Sequence, residues 1–119
     1  MAHRIASINP TTGQLLREFE PHSDAEIERR LQRAADAFRE YRRVPIIERA
    51  RLMTRVSEIL EAEKTTHART MTLEMGKLLR AAVQEVEKCG LACRYYAQNA
   101  AAFLADDRVQ RQRRTTATG

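Results

Sequence analysis

At 119 residues, 43% apolar and 31% charged, the chain suits one domain of modest size, and with no Trp, three Tyr and three Phe its core is expected to be aliphatic. No apolar run nears the roughly 20 residues of a membrane span and "MAHRIASINPTTG" lacks the apolar centre of a secretory signal, so no membrane partner is expected and the expected compartment is cytoplasmic. The net charge of +5 is local: Arg108, Arg111, Arg113 and Arg114 sit in a final twelve residues without an acid, seventeen bases face sixteen acids in 1–107, and no nucleic-acid-binding face is expected there.

The first element is a hairpin over 4–20. "RIASI" (4–8) alternates and is β-branched, so it reads as a strand. "NPTTG" (9–13) is turn chemistry, with Asn9-Pro10 opening the turn and Gly13 supplying a free φ. "QLLREFE" (14–20) is the returning strand.

Four helices follow. The first is expected over 24–42. Ser23 and Glu26 form a capping box in which hydroxyl and carboxylate each reach a backbone amide. Ile27, Leu31, Ala34, Phe38 and Tyr41 give it an apolar stripe. Pro45 stops it and suits the start of the next, 46–61, with a stripe of Ile46, Ala50, Met53, Val56 and Leu60. A weaker helix over 63–75 carries Ala68, Met71 and Met75 on one side; Thr65 and Thr66 lower its propensity.

The longest helix spans 79–105. Leu79, Val83, Val86, Cys89 or Gly90, Cys93, Tyr96 or Ala97, Ala100 and Leu104 keep its period. Gly90 costs about 1 kcal/mol there relative to alanine, and a close neighbouring backbone would account for it. Cys89 and Cys93 share a face and read as small buried hydrophobes. Two thiols without a nearby histidine fall short of a structural zinc site. After Asp107 the pattern stops, and the basic tail 108–119 is expected to be disordered.

Gly76 and Lys77 pose a specific question, because glycine followed by lysine also opens phosphate-binding loops. Such a loop needs several glycines and a Ser or Thr after the lysine, on a strand-to-helix turn. Here Gly76 stands alone, Leu78 follows the lysine and a helix precedes it. Gly76 is therefore expected to end the third helix in a left-handed conformation. His3, His22 and His67 are scattered without useful spacing, and no nucleophile, zinc or dinucleotide motif occurs. No catalytic residue is expected.

The order of elements nevertheless carries a resemblance. "INPTTG", "AADAFREYR", "ERARLM", "TLEMGK" and "EVEKCGLACRYYAQNA" occur in sequence, and this order resembles the N-terminal portion of the aldehyde dehydrogenase superfamily. "FEPHSDAEIERRL" with "TLEMGK" and "EVEKC" is most similar to bacterial succinate-semialdehyde dehydrogenases. The resemblance covers about 4–107. It implies that this mainly α chain, a hairpin and about four amphipathic helices, is a fragment of an α/β fold. Residues 1–107 would be the N-terminal part of its nucleotide-binding domain, packing against a sheet outside this stretch.

The resemblance further implies a parent enzyme that oxidises an aldehyde with NAD or NADP. A cysteine thiolate, a hydride transfer to the nicotinamide and a glutamate-assisted hydrolysis of the thioester carry that reaction. The family's nucleophile, base and nucleotide site match no position here; Cys89 and Cys93 match helix positions. No cofactor is expected to bind this chain alone. Its expected partners are the remainder of the enzyme or a second copy. A frameshift or truncated reading frame is the expected origin of the arginine- and threonine-rich end. Half of a split enzyme and a non-enzymatic helical interaction module are the alternatives.

One site comes with the resemblance. Some aldehyde dehydrogenases hold a monovalent cation between a carboxylate of the long helix and main-chain oxygens just before the Asn-Pro turn. The matching positions here are Glu85 and the carbonyls of Ser7 and Ile8. Geometry alone places Glu85 about 40° from Cys89, at the border of the apolar stripe, where a solvated carboxylate is the simpler reading.

Overall fold

The computed structural model describes residues 4–107; the expected disordered tail, 108–119, lies outside them. A two-stranded antiparallel hairpin, β1 (Ile5–Ile8) and β2 (Leu15–Phe19), precedes four helices. These are α1 (Asp24–Tyr41), α2 (Ile46–Ala62), α3 (Lys64–Met75) and α4 (Leu79–Phe103). The chain is thus mainly helical, as its periodicities predict.

In the hairpin Ile5 pairs with Phe19, Ala6 with Glu18, Ser7 with Arg17 and Ile8 with Leu15, so Leu16 is bulged out of β2. The turn is held by Asn9. Its side-chain oxygen accepts from the Thr11 amide at 2.9 Å and its carbonyl accepts from the Gly13 amide at 2.8 Å. Gly13 has a φ of 71°, the left-handed geometry that closes this loop.

α1 starts where Ser23 predicts, but only half of the capping box forms. Ser23 Oγ accepts from the Glu26 amide at 3.2 Å. The Glu26 carboxylate turns away from the cap to take Arg29 and Arg30. Two guanidiniums one turn onward outcompete one exposed amide for it. The apolar stripe of α1 is present but largely uncovered: Leu31 is 61% and Phe38 62% exposed. Among the described residues α1 packs on no other element.

The packed centre lies between α2, α3 and α4. Its buried residues are small: Ser57 on α2, Ala68 on α3, and Ala82, Val86 and Gly90 on α4. Small side chains let helix backbones approach closely. Two expectations change here. Met53 and Val56, assigned to the buried stripe of α2, are exposed, and the buried position is the polar Ser57. Cys89, expected to be buried, is exposed, and Cys93 is half-buried. Ala82, Val86 and Gly90 take the inner line of α4, and the two thiols sit beside it.

α4 also ends at Phe103, two residues before 105. Its last turn carries no basic residue to offset the helix dipole, and Asp106 and Asp107 follow two residues later. The molecule is drawn out, with a radius of gyration of 23.3 Å where a compact chain of this length has about 13 Å.

Candidate functional site

Gly76 ends α3 with a φ of 69°, and its amide donates to the Thr72 carbonyl at 3.0 Å. This is a helix stop, as expected of a lone glycine at the end of a periodic segment. A Cβ at Gly76 would lie 3.2 Å from Pro10 Cγ. The Asn-Pro turn and the α3–α4 joint are therefore in contact, which links two segments 66 positions apart. Ser7 on β1 strengthens the link: its hydroxyl donates to Glu74 Oε1 at 2.7 Å.

Lys77 does not reach into open space as a phosphate-binding lysine would. Its ammonium is paired with the Glu85 carboxylate. That pairing bears on the candidate cation site. Glu85 lines a shallow depression of α4 with Gln84, Lys88 and Cys89, whereas Ser7 and Ile8 line another with Phe19 and Glu74. Among the described residues β1 packs on α3 and not on α4. The structure pairs Glu85 with Lys77 and Ser7 with Glu74. The acid beside β1 is Glu74, which the helical pattern alone gave no reason to select. Among the described residues no three His, Cys, Asp or Glu side chains converge on a metal-sized space.

Two charged groups are clearly tuned by their neighbours. The Arg29 guanidinium, then Arg30, holds the Glu26 carboxyl below the usual carboxylate range. Glu61, then Glu87, holds the Lys64 ammonium above the usual lysine range. Lys64 reaches Glu61 at 2.6 Å on its own side and Glu87 at 2.9 Å on α4, so it ties the start of α3 to the long helix. Both clusters join charges on or between helices.

An apolar groove of about 280 Å³ lies between α2 and α4. Tyr41, Ile46, Met53, Tyr96 and Ala100 line it, with Arg49 at its wall. Arg49 Nε is shielded from solvent and has no hydrogen-bond partner. Beyond it Tyr95 stacks edge-on against Tyr96 at 5.4 Å and lies 6.1 Å from Phe103. The described residues therefore offer apolar faces and ion pairs. Among them, no helix is long and apolar enough to cross a membrane.

Comparison with known proteins agrees with that picture of a part. The sequence pattern described as "Aldehyde dehydrogenase family" matches residues 1–118, past the 107 at which the resemblance was read to end. A Synechocystis sp. protein described as "Probable succinate-semialdehyde dehydrogenase" of the NADP(+) type is 42% identical over 105 residues. That alignment covers 88% of this chain and 23% of the relative. Succinate-semialdehyde dehydrogenase 1, NADP(+), of Mycobacterium tuberculosis is 45% identical over 103 residues, 87% of this chain and 22% of the relative.

Solved structures agree. Succinic semialdehyde dehydrogenase from Streptococcus pyogenes, in complex with NADP+, superposes with a TM-score of 0.79 at 32% identity, over 84% of this chain and 22% of that one. Gox0499 superposes at 0.82 and 28% identity, over 86% and 23%. The chain thus spans between a fifth and a quarter of the length of the proteins it matches. A pattern match over nearly every residue, relatives above 40% identity and the same arrangement of hairpin and helices lead to one conclusion: the chain belongs to the aldehyde dehydrogenase family.

Proposed function

We propose that this chain is the hairpin-and-helix portion of a dehydrogenase that oxidises succinate semialdehyde with NADP+, and that it is inactive by itself. The substrate and cofactor rest on the names of its relatives, of which it spans 22–23%. The inactivity rests on chemistry. Hydride transfer from an aldehyde needs a nucleophile, a base and a bound nicotinamide, and the described residues assemble none of these.

The described residues do not fit a dinucleotide. Gly76, beside Lys77, is closed against Pro10, and the Lys77 ammonium is engaged by Glu85. No catalytic step is therefore assigned to this chain. Its role is to pack, through the exposed stripes of α1, the hairpin and the α2–α4 groove, on the part of the enzyme that holds the chemistry. The single observation that carries this is α1, an 18-residue amphipathic helix with no buried residue. A monovalent cation bound by Glu85 with the Ser7 and Ile8 carbonyls remains part of this reading. It requires Glu85 to exchange the Lys77 ammonium for the cation.

The test is an assay of the purified chain with succinate semialdehyde and NADP+, alongside equilibrium binding of NADP+. No turnover and no saturable binding is the expected result. Turnover above that of a heat-treated control would overturn it. If the chain is instead active when mixed with a separately made remainder, it is half of a split enzyme. Stable binding to an unrelated protein, with no such rescue, would favour an interaction module.

A further inference from the structure

Cys89 and Cys93 are free, lie one turn apart on an unbroken helix, and are exposed and half-buried respectively. The fully buried line of α4 is Ala82, Val86 and Gly90, which leaves both thiols with solvent access, Cys89 more than Cys93. They are not part of the Lys77–Glu85 pair. We propose that the two thiols together clasp one soft, two-coordinate monovalent cation, with Cu(I) as the defining ligand.

The geometry is that of the helix. Residues four apart have Cβ atoms about 5–6 Å apart on one face, and their Cα positions differ by about 40° around the axis. Two metal–sulfur bonds of about 2.3 Å each need sulfurs about 4.6 Å apart when the ion lies on the line between them. Rotation about the two Cα–Cβ bonds, among staggered wells, is the movement that must bring the sulfurs to that separation. Thiolates are soft ligands and select soft ions such as Cu(I). A tetrahedral zinc site is not completed, because no third His, Cys, Asp or Glu converges on the pair among the described residues. On binding, each thiol releases its proton to solvent, two metal–sulfur bonds form, and no electron is transferred.

The experiment titrates the whole chain with Cu(I), anaerobically, against a chromogenic Cu(I) chelator. One ion per chain is expected, with no change of oligomeric state on loading. Cys89→Ser and Cys93→Ser should each weaken retention by about a hundredfold or more, since the second thiol acts at high effective concentration. A geometric control keeps two thiols but moves one off the face: Leu91→Cys combined with Cys93→Ser should bind no better than a single-cysteine variant. Helical circular dichroism checks that each variant folds. One ion per two chains, full affinity in either single variant, or full affinity in the relocated pair would each overturn the proposal.

Discussion

The Ser57 hydroxyl donates a 2.8 Å hydrogen bond to the Gly90 carbonyl across the contact between α2 and α4. Ser57 is 1% exposed, and it is the only polar residue among those buried in the described centre. The bond pins the register of the two helices where Gly90 meets Ser57. Removing the hydroxyl with Ser57→Ala should cost about 1 kcal/mol. The cost stays modest because the Gly90 carbonyl keeps its own helical partner. Loss of helical circular dichroism in urea measures it, and an unchanged midpoint would contradict the assignment.

Gly90 itself is replaceable. A Cβ there would meet the Ser57 carbonyl oxygen at 3.6 Å and Leu60 Cβ at 3.9 Å, both ordinary contact distances. Gly90→Ala should therefore raise stability by up to about 1 kcal/mol through helix propensity. Gly90→Leu should lower it, because the added atoms must enter α2. The same urea series tests both signs.

Gly76 is not replaceable in this way. Its φ of 69° strains any side chain, and its Cβ would press on Pro10 at 3.2 Å. Gly76→Ala should cost about 1–2 kcal/mol from the left-handed backbone alone. Adding Pro10→Ala should recover only the part due to contact. Full recovery in the double variant would mean that the backbone conformation carries no cost.

Ion pairs should give stability a dependence on pH at both ends. The Glu26 carboxyl is held low by Arg29 and Arg30. Its contribution is present above the ordinary carboxylate range and lost as pH falls through its own depressed pKa. The Lys64 ammonium is held high by Glu61 and Glu87. Its contribution is present below the ordinary lysine range and lost as pH rises through its own raised pKa. Glu26→Gln should flatten only the acid limb of a helicity profile, and Glu87→Gln should weaken only the alkaline one. Reversed limbs would refute the pairing.

The elements that could be read from sequence are those whose signals are local. The Asn9 turn, the Ser23 start, Pro45 and the Gly76 stop each act on backbone within a few residues, and each falls where its chemistry requires. Packing was less legible. Periodicity selected Met53 and Val56, but the inner position of α2 is Ser57, because a close crossing favours a small side chain over a large one. The same preference put Ala82 inside and left Cys89 outside. Glu74 was missed because its partner, Ser7, lies 67 positions away. The reach of the Glu26 carboxylate was missed because a capping box and an Arg29 ion pair compete for the same oxygens.

The exposed faces should govern behaviour in solution. Leu31, Phe38, Leu91, Tyr96 and Phe103 are all more than half exposed, and exposed apolar surface of this kind seeks a partner. The isolated chain should sediment above its monomer mass and bind an apolar dye. A dye-negative monomer with cooperative melting would contradict the proposed packing role.

The most direct measurement is a graft. Residues 4–107 of this chain replace the aligned segment of the Mycobacterium tuberculosis relative, which is 45% identical over 103 residues. The chimera is assayed with succinate semialdehyde and NADP+, beside the isolated chain. The account predicts a soluble chimera that keeps turnover and an isolated chain with none. A folded chimera without activity, or an isolated chain with it, would contradict the claim that these helices support the chemistry without supplying it.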